Sequence, residues 1–203
     1  MLSACSLPFP SLKPAPGATS TPSAASSLIR IFTSEDVIAA VTAVGGSSAQ
    51  TTTVPRLSGD TPPVIIPADC AILNDLGTRG RMPTGWQVAV AGDVELAFKV
   101  MDRHFADALG DQFAMLASPT CSQVQLDDLR LTLTANEQAK PLVQQGRSYG
   151  IRLQSSSSWG DVSVWQGGNL VMWTSSNENP SASPQATTRF SAMNQVLAEL
   201  GLT

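Results

Sequence analysis

The sequence predicts an α+β domain: a mainly antiparallel sheet packed with about three to four helices and closed by one disulfide. Three observations point there. Strand-like segments outnumber helical ones and show no regular βαβ alternation. Gly167-Gly168 sits between two apolar runs, a strong hairpin signal. Two cysteines, Cys70 and Cys121, lie inside the apolar part of the chain.

The elements follow in order. The domain is expected to start near Leu28. Thr33 or Ser34 caps a first helix, with Glu35 and Asp36 at its positive end and a stripe of Val37, Ile38, Val41 and Val44. Gly45-Gly46 stops it. Ser47–Val54 reads as an edge strand, Pro55–Pro67 as a loop, and Pro67–Leu76 as a short helical segment presenting Cys70, Leu73 and Leu76. Trp86–Ala91 reads as a strand. Val94, Leu96, Phe98 and Val100 alternate with Glu95, Ala97, Lys99 and Met101, which favours a strand, although helical spacing also fits part of the run.

Asp102 is positioned to cap a second helix with the stripe Phe105, Leu109, Phe113 and Leu116, which Pro119 stops. Leu129–Thr134 and Ser148–Gln154 read as strands. Asp161–Gln166 and Asn169–Ser175 form the hairpin, with Trp165 expected opposite Leu170, Val164 opposite Val171 and Val162 opposite Trp173. Ser183 and Pro184 open a last helix with the stripe Phe190, Met193, Leu197 and Leu200, closed by Gly201.

The first 27 residues do not belong to that domain. Leu2-Ser3-Ala4-Cys5 reads as a lipobox, in which small residues precede a cysteine that is acylated and becomes the mature N-terminus. Residues 1–5 are then the remnant of a signal peptide, whose basic and apolar regions are expected before Met1. The alternative is a stray cysteine. Ser6–Ser27 is rich in Pro, Ser, Ala and Thr, with Lys13 its only charge, and is expected to be a disordered tether. As a flexible coil of about 22 residues it would span about 25–30 Å.

Cys5 accounts for the odd cysteine of three, leaving Cys70 and Cys121 as partners for each other or as two buried thiols. A disulfide agrees with export to an oxidising compartment. The net charge of −4 and the scattered 12 Lys and Arg exclude a nucleic-acid partner, which needs clustered cations. The charged fraction of 14% leaves Ser, Thr, Gln and Asn to supply much of the polar surface. No run approaches the roughly 20 apolar residues of a membrane span, so any membrane partner is reached through the lipid anchor.

Sites of chemistry are few. His104 is the only histidine, so no multi-histidine metal site is expected, and no cofactor motif is present. A hydrolase would need His104 with Asp102 or Asp107, but no Gly-x-Ser-x-Gly elbow accompanies them. Asp127-Asp128 fits an exposed turn as well as an acid/base pair. The hairpin is more informative, because both its faces are apolar. One carries Val162, Val164, Val171 and Trp173, and the other Ser163, Trp165, Leu170 and Met172. Either a helix covers the second face, or Trp165, Leu170 and Met172 line an apolar groove rimmed by Trp86 and Trp159.

Several of these features occur together in a known pattern: the capped first helix, Pro67-x-x-Cys70, a strand entering a helix, Ser118-Pro-Thr-Cys121, and Gly168-Asn169-Leu-Val171 before a last helix. They resemble secreted lipoproteins of actinobacteria and are similar to the sensor-like extracellular domains of some mycobacterial serine/threonine kinases. Those domains often carry two disulfides, whereas the folded part of this chain can form one. The resemblance covers about residues 28–203 and implies a cleft-bearing, non-enzymatic domain at the outer face of the cell membrane. An envelope lipid or a protein would be its partner. A lipid or glycolipid carrier with an apolar cavity is the alternative.

Overall fold

A computed structural model describes residues 30–54, 64–76, 85–156, 158–176 and 184–203. The expected lipobox and tether, the domain start at Leu28, most of the proline-rich loop and Ser183 lie outside the described residues.

The chain runs through α1 (Ser34–Gly45), β1 (Gln50–Thr53), β2 (Ile65–Ile66), a 3-10 segment (Ala68–Leu76), β3 (Gln87–Ala91), β4 (Val94–Val100) and α2 (Arg103–Leu116). A 3-10 turn (Pro119–Cys121), β5 (Gln123–Leu126), β6 (Leu129–Ala135), β7 (Arg147–Gln154), β8 (Trp159–Gly167), β9 (Leu170–Ser176) and α3 (Pro184–Glu199) follow. The strands join in one sheet of order β1-β3-β4-β9-β8-β7-β6-β5-β2, antiparallel throughout. The fold is α+β.

Both faces of the sheet are covered. On one, Leu96, Phe98, Trp165, Leu170 and Met172 pack with residues of α1 and α3, including Val37, Val41, Met193 and Leu197. On the other, Val88, Ala97, Val164, Val171 and Trp173 pack with α2 and the 3-10 segment through Phe113, Leu116, Leu73 and Leu76. This is why β8 and β9 are apolar on successive residues: a central strand with two buried faces loses the apolar/polar alternation.

Local signals set most boundaries. Thr33 caps α1 in a reciprocal box: its Oγ1 accepts from Asp36 N at 3.2 Å, and its own N donates to Asp36 Oδ2 at 2.8 Å. Those bonds from Thr33 favour the charged carboxylate and hold Asp36 below its ordinary pKa. Cys70 and Cys121 are bonded, with Cα atoms 5.8 Å apart, and join the 3-10 segment to the turn after α2.

Four expectations need correction. The hairpin turn falls on Gly168-Asn169, so Gly167 stays in the strand opposite Leu170, Trp165 faces Met172, and Val164 faces Trp173. Gly168 takes φ +58°, which suits glycine at the first turn position. Asn169 holds the turn in place: its amide accepts from Phe32 N at 2.7 Å and donates to Phe32 O at 2.8 Å.

The buried face of α2 is Ala106, Gly110, Phe113 and Leu116, while Phe105 is 62% exposed. The helix lies too close to the sheet for a large side chain at that level. A Cβ on Gly110 would come within 2.8 Å of Gln166 Oε1. Asp102 occupies the N-cap of α2 but makes no side-chain capping bond. Finally, β5 and the two-residue β2, which lies inside the expected proline-rich loop, are additional strands.

Candidate functional site

Trp165, Leu170 and Met172 are fully buried beneath α1 and α3, so they line no open groove. The polar end of Trp165 is also satisfied: its Nε1 donates to Gln145 O at 2.8 Å, and its ring meets Phe32 edge to face at 6.3 Å. These three residues are packed core.

Trp86 and Trp173 behave differently. They belong to the opposite core layer, where their rings meet edge to face with centroids 6.2 Å apart. Trp86 is fully buried and Trp173 is 5% exposed, yet neither indole N–H has a hydrogen-bond partner among the described residues. Asn74 Oδ1, on the 3-10 segment, is a third buried polar atom without one. A buried donor left unpaired costs about 1–3 kcal/mol. Two neighbouring ones in a core that also holds a disulfide call for an explanation. An edge-to-face pair lets one N–H lean on its neighbour's ring, but not both.

Trp159 is half-buried at the far end of β8, where the Arg152 guanidinium lies 5.2 Å from the centre of its ring. Arg152 and Asp161 are direct cross-strand partners on β7 and β8. Asp161 is fully buried and also accepts from Asn136 Nδ2 at 2.8 Å. Hydrogen bonding to Asp161 pushes the Arg152 pKa further up, so this cation stays charged. Buried Ser163, Thr174 and Ser176 continue a polar strip along β8 and β9 on the same face. No local pattern announces this cluster, because its members are separated in the chain and converge only through strand register.

His104 is exposed on α2 with its ring tilted against Phe105 at 5.9 Å. Asp107, the nearest carboxylate along its helix, accepts from Gln166 Nε2 at 3.0 Å and faces Arg103 at 3.7 Å. Asp127 lies in the β5–β6 turn with φ +51° and accepts from Val64 N at 2.9 Å. Among the described residues, no three His, Cys, Asp or Glu side chains group as metal ligands do, and no helix is long and apolar enough to cross a membrane.

A shallow depression of about 370 Å³ separates the end of α1, the β3–β4 turn and α3. Its lining mixes Val44, Val94 and Ala192 with Asp93, Ser191 and Gln195. It shares no residue with the indole pair. In comparisons with known proteins, no family model and no curated sequence matches the chain.

Proposed function

We propose that this chain is a non-catalytic binding domain of the cell envelope, anchored at the outer face of the membrane through an acylated Cys5. The observation that carries the binding half is the pair of buried indole N–H groups of Trp86 and Trp173, which have no hydrogen-bond partner among the described residues. Most buried polar groups are paired, and donors kept unpaired inside a core are what a ligand acceptor would complete. The Cys70–Cys121 bond supports the envelope half, since disulfides persist in oxidising compartments. Anchoring is inferred from the lipobox reading of Leu2–Cys5.

Native mass spectrometry of the full chain, exported behind a signal peptide and purified gently, tests the binding half. A co-purifying mass that is lost on denaturation supports it. A bare mass, with nothing retained from an envelope extract, overturns it. Detergent partitioning of Cys5→Ala tests the anchor: the variant is expected to move to the aqueous phase, and unchanged partitioning would count against acylation.

A further inference from the structure

The depression between α1, the β3–β4 turn and α3 has a floor set by backbone packing. A Cβ on Gly45 would fall 2.2 Å from Ala91 O, and one on Gly92 would fall 2.7 Å from Gly45 O. The end of α1 therefore rests directly on the turn, an approach that leaves no room for a side chain at either glycine. This contact brings Asp93, the second turn residue, beside Val44 and Gly45, and all three line the same space. The space is electronegative. Asp93 is the one ionisable side chain among the described residues that line it, and no ion pair between described residues engages it. The C-terminal end of a helix carries partial negative charge, and α1 has no basic residue in its last turn to offset it.

We propose that this depression binds a primary ammonium group carried on a short apolar body. The ammonium donates to the Asp93 carboxylate, with Ser191 and Gln195 of α3 offering further oxygen acceptors. The body lies against Val44, Val94 and Ala192, which form the apolar part of the wall. A volume of about 370 Å³ falls within the range of small-molecule sites. Other ligand classes fit less well. An anion would meet the Asp93 charge and the negative pole of α1. A quaternary ammonium has no N–H and is held by aromatic faces, and none of the described residues lining the space is aromatic. A calcium ion takes six to eight oxygens, several from carboxylates, and no such grouping exists among the described residues. The site shares no residue with the Trp86–Trp173 pair, so each reading stands or falls alone.

The test titrates 2-phenylethylammonium into the uniformly ¹⁵N-labelled full chain. Two probes of matched skeleton, neutral 2-phenylethanol and anionic 3-phenylpropanoate, serve as comparisons. Glu199 is an internal control, an exposed carboxylate at the C-terminal end of α3 that lies outside the depression. The expected result is a saturable shift of the Gly45, Asp93 and Ser191 backbone amide cross-peaks by the ammonium probe, with those around Glu199 unmoved. The alcohol and the carboxylate should bind at least tenfold more weakly. Asp93→Asn removes the charge while keeping the shape, and is expected to weaken the ammonium response about tenfold, the loss of one charge-assisted hydrogen bond. Ser191→Leu, an exposed position on the α3 wall, should weaken it as well by filling the space.

Cross-peaks of the depression that stay in place, or that move no more than those around Glu199, would overturn the assignment. So would an equal response to the alcohol or the carboxylate, or an undiminished response in folded Asp93→Asn. A co-purifying mass in the native spectrum together with a silent depression would sink the ammonium site while leaving the binding reading standing.

Discussion

The Arg152 guanidinium grips the buried Asp161 carboxylate through two hydrogen bonds, Nε to Oδ1 and Nη2 to Oδ2, each 2.9 Å long. Asp161 has no exposure, while the Arg152 side chain keeps 36% of its own. The arginine can therefore relax toward water, but the carboxylate cannot. Removing one partner of a buried pair leaves an uncompensated charge, which costs about 3–5 kcal/mol. Arg152→Ala is expected at the lower end of that range, read from urea unfolding. Arg152→Lys should recover only part of the loss, because an ammonium cannot reproduce the two-pronged contact. An Arg152→Ala midpoint equal to that of the parent would show that the pair contributes nothing.

The disulfide ties two parts of one core layer that the sheet does not join directly. Cys70 and Cys121 are 51 residues apart and both fully buried. In the chain-entropy model, a loop of that length is worth about 4 kcal/mol, mostly through the unfolded state. The double variant Cys70→Ala, Cys121→Ala should lose about that much in equilibrium unfolding. Loss of less than about 1 kcal/mol would mean that the chain-entropy account does not hold for this loop.

How far the fold could be read from residues alone depends on whether the signal was local. The cap expected at Thr33 or Ser34, the stop at Gly45-Gly46 and the α3 stripe of Phe190, Met193, Leu197 and Leu200 are short-range patterns; the structure carries them, with Thr33 as the cap and Gly46 ending the helix. The hairpin faces were legible too, because alternation survives a shift of turn. Its register was not, since Asn169 is fixed by the backbone of Phe32, which lies far away in the chain. The candidate site shows the same division. Trp86 was visible as a tryptophan near a possible rim, but its unpaired N–H is a property of packing.

The second helix shows the limit most sharply and is directly testable. Its apolar residues suggested a stripe through Phe105, but close approach to Gln166 turns Ala106 and Gly110 inward and leaves Phe105 in water. Phe105→Ser should therefore change stability by less than about 0.5 kcal/mol, the usual range for surface positions. Phe113→Ala, on the fully buried side, should cost about 3–5 kcal/mol through lost contacts and a cavity. Thermal unfolding of the two variants side by side settles the phase of the helix; equal losses would put the assigned face in error.

Tyr149 offers a pH test free of overlap, because it is the only tyrosine in the chain. Partial burial raises its pKa above the ordinary value of 10.0, and the nearby Arg147 cation offsets this only in part. Arg147 is itself held by Asp111, which raises the pKa of its guanidinium and keeps it charged. The phenol is neutral in both folded and unfolded chains well below pH 10, so its contribution is intact there. As pH rises past 10, the unfolded chain releases the proton first while the folded chain retains it. The folded state then binds more protons, and stability falls with pH until the folded pKa is passed. Phenolate absorbance should give a folded midpoint above that of the urea-denatured chain, and Arg147→Ala should raise it further by removing the attraction for the phenolate. Tyr149→Phe should lessen the alkaline fall in stability. A folded midpoint at or below the denatured one would contradict the burial of this ring against the α2 layer.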